Sequence, residues 1–414
     1  MILEVINTGS ELLLGNTVNT HLSFLGQELF PLGLRIARQV TVPDGDEIRT
    51  ALIESLARAD IILVTGGLGP TTDDITREIS AELFGLPLIE DESVWKSIQD
   101  RFARRGLQMT PRNRRQAQVP RGATVLVNPN GTAPGLYLQH TVAGATRHLF
   151  LLPGPPRELR PMFQNVVAPI LKDLVPGGAK VQSRRWLVVG LGESMVESIV
   201  GEALLAIPGL ELGYCARPGS VEVRCIGDAK ALEAAAAVIL EKLPTQLAGE
   251  GGEALEDLVV HTLIAQGKTL AAAESCTGGL LANKITNVPG ASEVFLAGYV
   301  TYADEAKTHT LGVPADLIAQ HGAVSSQVAQ AMAEGALRES GATFALATTG
   351  IAGPGGGTPE KPVGTVFIAL AIRDAVTQVV KHAYPTDRET FKNLTVQAAL
   401  DMLRKVLSQG SVTK

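Results

Sequence analysis

Short apolar runs alternate with longer stretches of helical hydrophobic spacing along residues 1–170. Runs such as Ile61–Thr65 are apolar at nearly every position, which is typical of strands that are buried on both faces. The pattern therefore predicts a parallel sheet that is covered by helices. The predicted strands are Leu3–Asn7, Arg35–Val42, Ile61–Thr65 and His148–Leu152, and the predicted helices are Asn19–Leu32, Glu47–Ala59 and Arg157–Leu171.

Residues 171–249 change to a β-α-β-β-α order, which predicts a small α+β module. Its elements are Arg184–Val189, Glu193–Leu205, Leu210–Tyr214, Val221–Ile226 and Ala229–Leu243. The glycine-rich segment Gly249–Gly252 indicates a linker, and residues 250–414 then predict a third domain. Its main elements are Ala254–Gln266, Thr269–Ala273, Phe295–Thr301, Ser326–Ser340, Phe344–Thr348, Gly364–Ile372, Thr377–Tyr384 and Asp387–Leu407.

Length and composition support an α/β multidomain protein and argue against several classes of function. A chain of 414 residues exceeds what a single core usually supports, so several domains are expected. The net charge of −6 provides no general attraction for nucleic acid. Three cysteines without a CxxC spacing argue against a disulfide framework or a zinc site. No apolar run is long enough for a membrane span, so a cytoplasmic protein is expected.

A polar cluster, Glu274–Thr277, follows the predicted strand Thr269–Ala273 and leads into a glycine pair. A helix that begins at Gly278 and Gly279 is expected to offer free N–H groups to an anion such as a phosphate. Ser275 and Cys276 are both candidate nucleophiles for acyl transfer at this position. The alternative is a tight strand-to-helix turn with a small capping residue.

Two further strand ends in the last domain carry polar groups. Tyr302 and Lys307 follow one strand, and together they could activate a serine without a histidine, with the lysine as base or the tyrosine as proton relay. A second strand leads into the glycine-rich loop that begins at Thr349 and Gly350, which suits a phosphate or an oxyanion hole. The alternative for each residue alone is solvation or packing.

A similar motif in the first domain joins a buried strand to the glycine-rich loop Gly66–Gly69. Its glycines permit close approach to a phosphate, Asp73 and Asp74 provide oxygen ligands for a divalent cation, and Thr72 or Asp73 is expected to cap the next helix. The loop Thr8–Glu11 ends a neighbouring strand. Because ligands collect at the carboxyl ends of parallel strands, we expect one phosphate site here, with two capped turns as the alternative.

A dense basic cluster lies between residues 101 and 115. The simplest interpretation is a solvated face balanced by Glu90–Glu92, and the alternative is a clamp for nucleotide phosphates. Nucleic-acid binding is not favoured, because no aromatic residues are interleaved with the arginines. The cluster comprises Arg101, Arg104, Arg105, Arg112, Arg114 and Arg115.

Together these motifs resemble the CinA family (competence/damage-inducible protein A) from Met1 to about Lys405. The N-terminal part is similar to the molybdopterin-binding-like α/β sandwich of molybdopterin adenylyltransferases, and the C-terminal part is similar to nicotinamide mononucleotide deamidases. The first similarity rests on Thr8–Leu13, Gly66–Asp74, Asn128–Gly135 and Leu152–Pro156. The second rests on Ala273–Gly279, on Tyr302 with Lys307, and on Thr349–Pro354.

The resemblance implies that residues 250–414 form an α/β domain that hydrolyses the amide of nicotinamide mononucleotide, giving nicotinate mononucleotide and ammonia. Ser275 would be the nucleophile, Tyr302 and Lys307 would assist it, and no cofactor would be needed. The substrate-binding residues implied are Thr277, Gly278, Gly279, Thr349, Gly350 and Gly353.

For residues 1–170 the resemblance implies hydrolysis of ADP-ribose to AMP and ribose 5-phosphate. A divalent ion (Mg²⁺, Mn²⁺ or Co²⁺) would be held by Asp73, Asp74 and Glu11, and family members also respond to potassium. The substrate-binding residues implied are Thr8, Gly9, Gly66, Gly67, Leu68, Gly69, Pro153 and Gly154.

The resemblance also implies a KH-type fold for residues 171–249 and a homodimer, although the module carries no convincing GxxG clamp. Two competing functions stay open at this point. One is a non-enzymatic role in DNA uptake or damage, which the net charge of −6 does not favour. The other is an N-terminal domain that binds a pterin and transfers adenylyl groups, since its phosphate loops would look the same.

Overall fold

The computed structural model describes residues 1–142, 144–175 and 181–409. The chain divides into two compact units, Met1–Lys180 and Val181–Lys414. Within the described residues, no helix is long and apolar enough to cross a membrane.

The first unit is built on a six-stranded sheet with the order β2-β1-β3-β8-β7-β6. Its strands are β1 (Leu3–Thr8), β2 (Ile36–Val42), β3 (Ile61–Thr65), β6 (Thr124–Leu126), β7 (Gly135–Val142) and β8 (Ala145–Leu152), and β4 (Leu88–Glu90) pairs separately with β5 (Gln118–Pro120). The helices are α1 (Ser10–Leu13), α2 (His21–Leu29), α3 (Glu47–Arg58), α4 (Thr76–Leu83), α5 (Glu92–Arg104), α6 (Pro156–Met162) and α7 (Ala168–Leu174).

The predicted parallel sheet is confirmed for β2, β1, β3 and β8. The sheet continues beyond the prediction through β7 and β6, which run antiparallel. Alternate strand residues face opposite sides, so Ile62 and Val64 pack towards α3, whereas Ile61 and Leu63 pack towards α2 and α6. The unit is therefore a helix–sheet–helix sandwich.

The second unit contains two sheets. The smaller sheet has the order β10-β11-β9-β12 and comprises β9 (Gln182–Val189), β10 (Glu211–Arg217), β11 (Ser220–Gly227) and β12 (Leu247–Glu250), with α8 (Glu193–Leu205) and α9 (Ala229–Lys242). The predicted β-α-β-β-α order is present, and β12 extends it. Gly249 pairs with Leu187 inside this sheet, so the segment expected to be a linker begins within a strand.

The larger sheet of the second unit has the order β14-β13-β15-β16-β17. Its strands are β13 (Leu270–Glu274), β14 (Phe295–Val300), β15 (Phe344–Gly350), β16 (Thr365–Ile372) and β17 (Gln378–Ala383). The helices are α10 (Leu255–Gln266), α11 (Leu280–Thr286), α12 (Asp304–Leu311), α13 (Ala315–His321), α14 (Ser326–Ser340) and α15 (Arg388–Gln409). Strands β14, β13 and β15 are parallel, which places their carboxyl ends at one edge.

Candidate functional sites

The sequence-predicted residues of the last domain meet at the carboxyl edge of β14, β13 and β15. Glu274, the last residue of β13, is in register with Val300 on one side and Thr348 on the other. The Ser275 N–H donates to the carbonyl of Thr348 at 2.9 Å. The turns that carry Ser275 and Tyr302 therefore begin beside the end of β15, which carries Thr349.

Ser275 and Cys276 have opposite environments although they are adjacent. Ser275 is half-buried in the turn after β13, whereas Cys276 belongs to the hydrophobic core under it. Burial raises the pKa of the Cys276 thiol to about 12, so the thiolate required of a nucleophile is suppressed. Thr277 is also fully buried, and its hydroxyl lies 2.7 Å from the hydroxyl of Thr348. Ser275 is thus the better-placed nucleophile of the two.

The start of α11 is occupied by a carboxylate of the chain itself. Glu274 is fully buried and accepts hydrogen bonds from the N–H groups of Gly279 (3.0 Å), Leu281 (3.0 Å) and Ala282 (2.8 Å). The expectation that this helix start offers free N–H groups to a phosphate is therefore wrong. The glycines have another reason to be present, since Gly278 and Gly279 have φ values of 60° and 93° in the left-handed region.

Lys307 lies in α12 and is almost completely buried. Its ammonium donates to the carbonyls of Tyr302 (3.1 Å) and Ala303 (3.4 Å) and to the Asp304 carboxylate (3.2 Å). All three donors of the group are thus directed at oxygen atoms of the turn that carries Tyr302. In this arrangement Lys307 holds that turn, and it would have to leave these partners to accept a proton.

Two cations that the sequence interpretation missed lie at the same edge. Arg388 donates to the Tyr302 hydroxyl at 2.7 Å and to the Gly353 carbonyl at 2.8 Å. Lys392 is one helical turn further along α15, and its Nζ lies 3.8 Å from the position that a Cβ on Gly278 would occupy. For Arg388 the available signal was its position, because a cation in the first turn of a helix opposes the helix macrodipole and needs a separate reason.

The remaining predicted residues of this site lie at the end of β15 and in the loop after it. Thr349 is fully buried and its hydroxyl donates to the carbonyl of Ala323 at 2.8 Å. A Cβ on Gly350 would lie 2.7 Å from the carbonyl oxygen of Thr365, so that position requires glycine for packing. Gly353, with φ of 77°, presents its carbonyl to Arg388. These residues shape the edge, and only the Gly353 carbonyl contacts one of its cationic groups.

All predicted site residues of the first domain line one cavity of about 370 Å³. The glycines allow its loops to meet, because a Cβ on Gly66 would overlap the Thr8 hydroxyl and a Cβ on Gly67 would overlap the Thr76 hydroxyl. The cavity also contains two acidic residues that the sequence interpretation missed, Asp44 and Glu158. The predicted residues that it brings together are Thr8, Gly9, Glu11, Gly66, Gly67, Leu68, Gly69, Asp73, Asp74, Pro153 and Gly154.

Asp73 and Asp74 lie in the loop before α4 and do not cap it. The helix begins at Thr76 without a side-chain cap, so the expected capping by Thr72 or Asp73 is wrong. Asp74 instead accepts hydrogen bonds from the N–H (2.9 Å) and the hydroxyl of Thr71. Arg115 donates to the Thr71 carbonyl at 3.0 Å, which fixes the loop from outside. Asp73 and Asp74 thus lie on a turn that is stabilised by the hydrogen bonds of Thr71 with Asp74 and Arg115.

Among the described residues, no group of three or more His, Cys, Asp or Glu side chains is arranged to hold a metal ion. Asp73, Asp74 and Glu11 share the cavity without forming such a cluster. Mg²⁺ usually keeps several waters and uses one or two carboxylates together with substrate phosphates, so the metal ligands remain a prediction. A metal here would be bound jointly with a ligand.

A larger cavity of about 780 Å³ lies in the second unit, between the loop Gly190–Gly192 and α15. None of the predicted site residues lines it. Its size alone does not connect it with the chemistry at Ser275, and the edge of the larger sheet remains the candidate active site of this unit.

Comparisons with known proteins agree with the two-part division of the motifs. Residues 252–407 match the CinA C-terminal domain, and residues 4–173 match a probable molybdopterin binding domain. A CinA-like protein of Akkermansia muciniphila is 47% identical over 411 residues, which cover 99% of each chain. A putative competence-damage inducible protein of Caldicellulosiruptor bescii is 43% identical over 413 residues, covering 98% of this chain and 99% of that protein.

A solved structure also matches part of the chain. The competence/damage inducible protein CihA from Agrobacterium tumefaciens has 41% sequence identity and a TM-score of 0.36, and the match covers 38% of this chain and 98% of that one.

Proposed function

We propose that this chain, which belongs to the CinA family, is a hydrolase with two nucleotide substrates. The C-terminal site deamidates nicotinamide mononucleotide to nicotinate mononucleotide and ammonia. The N-terminal site hydrolyses ADP-ribose to AMP and ribose 5-phosphate. The observation that carries the first activity is the half-buried Ser275 hydroxyl at an edge where Arg388 and Lys392 supply positive charge.

The deamidation begins with attack of Ser275 Oγ on the carboxamide carbon of the substrate. The C–N bond then breaks, the serine proton reaches the departing nitrogen, and ammonia leaves an acyl ester on Ser275. Water attacks this ester, and its proton returns to Ser275 Oγ as the carboxylate product is released. Among the described residues the Thr277 N–H donates no backbone hydrogen bond, and we assign it to stabilisation of the oxyanion.

The contacts favour Tyr302 as the proton carrier in these steps. Its hydroxyl accepts a hydrogen bond from Arg388 at 2.7 Å and keeps its own proton free, so it can take up one proton and pass on the other. Lys307 supports it by holding the backbone of the Tyr302–Asp304 turn. Arg388 and Lys392 provide the charge that a mononucleotide phosphate requires.

The second activity is supported by the cavity that Gly66–Gly69 and the carboxylates share. Asp73, Asp74 and Glu11, which line the same cavity, would hold a divalent cation together with the substrate pyrophosphate. Such an ion would neutralise the charge that develops on the leaving phosphate. The side chains themselves orient the ligand, and the glycine loops allow the phosphates to approach the backbone.

One assay tests both activities. The purified chain is incubated with nicotinamide mononucleotide, ADP-ribose or an adenylated pterin, each with and without chelator, and the products are identified. We expect ammonia release in both conditions and ADP-ribose cleavage only with metal. Conversion of the adenylated pterin, without ADP-ribose cleavage, would show that the N-terminal domain acts instead as an adenylyl transferase.

Matched variants assign the residues. Ser275→Ala should lower deamidation by at least about 10³-fold, because a nucleophile is removed, and Cys276→Ala should retain it. Asp74→Asn should lower ADP-ribose cleavage and leave deamidation unchanged. Activity retained in Ser275→Ala and lost in Cys276→Ala would assign the nucleophile to the cysteine.

A further inference from the structure

The basic cluster predicted from the sequence divides into two parts in the fold. Arg114 pairs with Glu90 through two contacts of 2.7 and 3.0 Å, and Arg115 pairs with Glu78 at 3.0 Å. This half confirms that acidic neighbours balance part of the cluster. The other half, Arg101 with its neighbours on α5, is not balanced in this way.

Four guanidinium groups surround one open pocket of about 480 Å³ in the first unit. Arg101 and Arg104 lie on the last turn of α5 and Arg105 is its C-cap residue, and the i, i+3 and i+4 spacing places the three on one face of the helix end. The fourth, Arg157, comes from the first turn of α6. The residues that line the pocket are Arg101, Arg104, Arg105, Pro129, Asn130 and Arg157.

The pocket has little compensating negative charge, and Glu158 is the acidic residue that acts on it. Among the described ion pairs, none involves Arg101, Arg104 or Arg105, and Arg157 has only a 3.8 Å contact with Glu158. Burial, followed by the charges of Arg105, Arg104 and Arg157, holds the pKa of the Arg101 guanidinium below its ordinary value, although the Glu158 carboxylate acts in the opposite direction. Like charges at this spacing destabilise a helix slightly, so the arrangement has a cost that an anion would remove.

The pocket is also held in place by the backbone. Arg101 donates to the carbonyl of Pro129 at 2.7 Å and to the carbonyl of Asn130. The Asn130 side chain donates in turn to the carbonyl of Arg157 at 3.3 Å. Helix α5, the loop after β6 and the start of α6 are thereby linked, so the cationic groups are positioned before a ligand arrives.

We propose that Arg101, Arg104, Arg105 and Arg157 form a second anion site, which binds the phosphoryl groups of a small phosphorylated molecule. Planar guanidinium groups pair with phosphate oxygens in a bidentate way, which single ammonium groups cannot do. No aromatic side chain lines the pocket, so it offers no platform for stacked bases of a single-stranded nucleic acid.

The site adjoins the N-terminal cavity without being part of it. Arg157 precedes Glu158, and the loop that carries Asn130 continues into Thr132; both Glu158 and Thr132 line that cavity. The phosphoryl group bound by the arginines therefore has two possible sources: the substrate in the neighbouring cavity, or a separate phosphorylated molecule.

The test is a calorimetric titration of the full chain with inorganic tripolyphosphate in chelator, which requires no turnover and so does not depend on the proposed hydrolysis. Arg104→Gln/Arg105→Gln should weaken saturable binding by at least about tenfold. Arg112→Gln/Arg121→Gln removes the same charge from exposed arginines outside the pocket and should leave binding unchanged. Equal weakening by both double variants, or no saturable binding to the natural chain, would overturn the proposal.

Competition then separates the possible ligands. Displacement of tripolyphosphate by ADP-ribose in chelator would place the substrate's own phosphates in the arginine pocket, whereas simultaneous binding would indicate a separate molecule. A single-stranded oligonucleotide that displaces tripolyphosphate, and binds more tightly than it does, would overturn the assignment to a small molecule.

Discussion

Two glycine-rich loops follow buried parallel strands in this molecule, and they differ in what fills them. The loop Gly66–Gly69 borders an open cavity of about 370 Å³. The turn at Gly278 and Gly279 instead surrounds the buried carboxylate of Glu274, which accepts hydrogen bonds from three backbone N–H groups. One loop leaves room for a ligand, and the other already contains an anion from the chain.

A glycine-rich helix start can therefore bind an anion only when no side chain of the protein already accepts hydrogen bonds from its N–H groups. In the second unit, positive charge for a ligand comes from Arg388 and Lys392, outside the loop. In the first unit, the neighbouring side chains are carboxylates, so a phosphate would need a cation with it. Two similar glycine-rich motifs thus have neighbours of opposite charge, carboxylates in the first unit and cations in the second.

Removal of the Glu274 carboxylate should lower stability more than any other substitution proposed for the two loops. Glu274→Ala leaves three N–H groups at the start of α11 without their acceptor and should lower the free energy of unfolding of the second unit by about 3 kcal/mol. Asp74→Ala should lower the free energy of unfolding of the first unit by about 1 kcal/mol or less, because Thr71, the hydrogen-bond partner of Asp74, is exposed to water.

Each unit contains one of the two tryptophans, so their unfolding can be followed separately by fluorescence. Glu274→Ala is measured in a Trp95→Phe background, in which Trp186 reports, and Asp74→Ala in a Trp186→Phe background. If Glu274→Ala does not fold, Glu274→Gln supplies an intermediate case, because one amide oxygen still accepts. Equal losses in the free energy of unfolding for Glu274→Ala and Asp74→Ala would contradict the difference described between the two loops.

A smaller contrast is expected between the glycines themselves. Gly67→Ala combines a left-handed backbone (φ of 68°) with overlap of the new methyl group and Thr76. It should therefore lower the free energy of unfolding by about 2 kcal/mol. Gly278 has a similar φ of 60°, but the atom nearest to the new methyl group, Lys392 Nζ, is 3.8 Å away. Gly278→Ala should therefore lower the free energy of unfolding by only about 1 kcal/mol.

The same fluorescence measurements give both values. Gly106→Ala serves as the control, since its φ of 61° carries the backbone cost with open space around the new methyl group. A Gly278→Ala variant that is less stable than Gly67→Ala would contradict the packing described for the two loops.

The sequence was sufficient for the features that depend on local patterns. The apolar runs located β1, β3 and β13, and the alternation of elements correctly predicted the parallel part of the sheet in the first unit. The residues of the N-terminal cavity were also found, because each predicted loop directly follows a strand and parallel strands bring such loops together.

Long-range contacts were beyond the local patterns. Glu274 belongs to the polar cluster that was noticed, but a sequence does not reveal whether a carboxylate points into the adjacent turn or away from it. Arg388 is separated from Tyr302 by 86 residues, and nothing near it forms a recognisable motif. The pairing of β12 with β9 was missed for the same reason, since Gly249 looks like linker sequence.

A third prediction concerns the cations that replace the helix start as the site for substrate charge. Arg388→Gln should raise the Michaelis constant for nicotinamide mononucleotide about tenfold, the loss expected for one charge-assisted hydrogen bond. Turnover should also fall, because Arg388 donates to the Tyr302 hydroxyl. Arg224→Gln removes an exposed arginine of β11 and should change neither constant. An unchanged Michaelis constant in Arg388→Gln would remove this residue from substrate binding.

The smallest effect is expected at Cys276, which lies behind the second loop. Burial raises the pKa of the Cys276 thiol to about 12 and that of Cys225 to about 11, whereas Cys215 is exposed. At pH 8 only about 10⁻⁴ of the Cys276 thiol is ionised, so iodoacetamide should modify Cys215 alone in the native chain. Mass spectrometry of the labelled peptides measures this, and labelling after denaturation confirms that all three thiols are reactive when exposed. Rapid native labelling of Cys276 would mean that the core beneath Ser275 opens, and the thiol would then return as a candidate nucleophile.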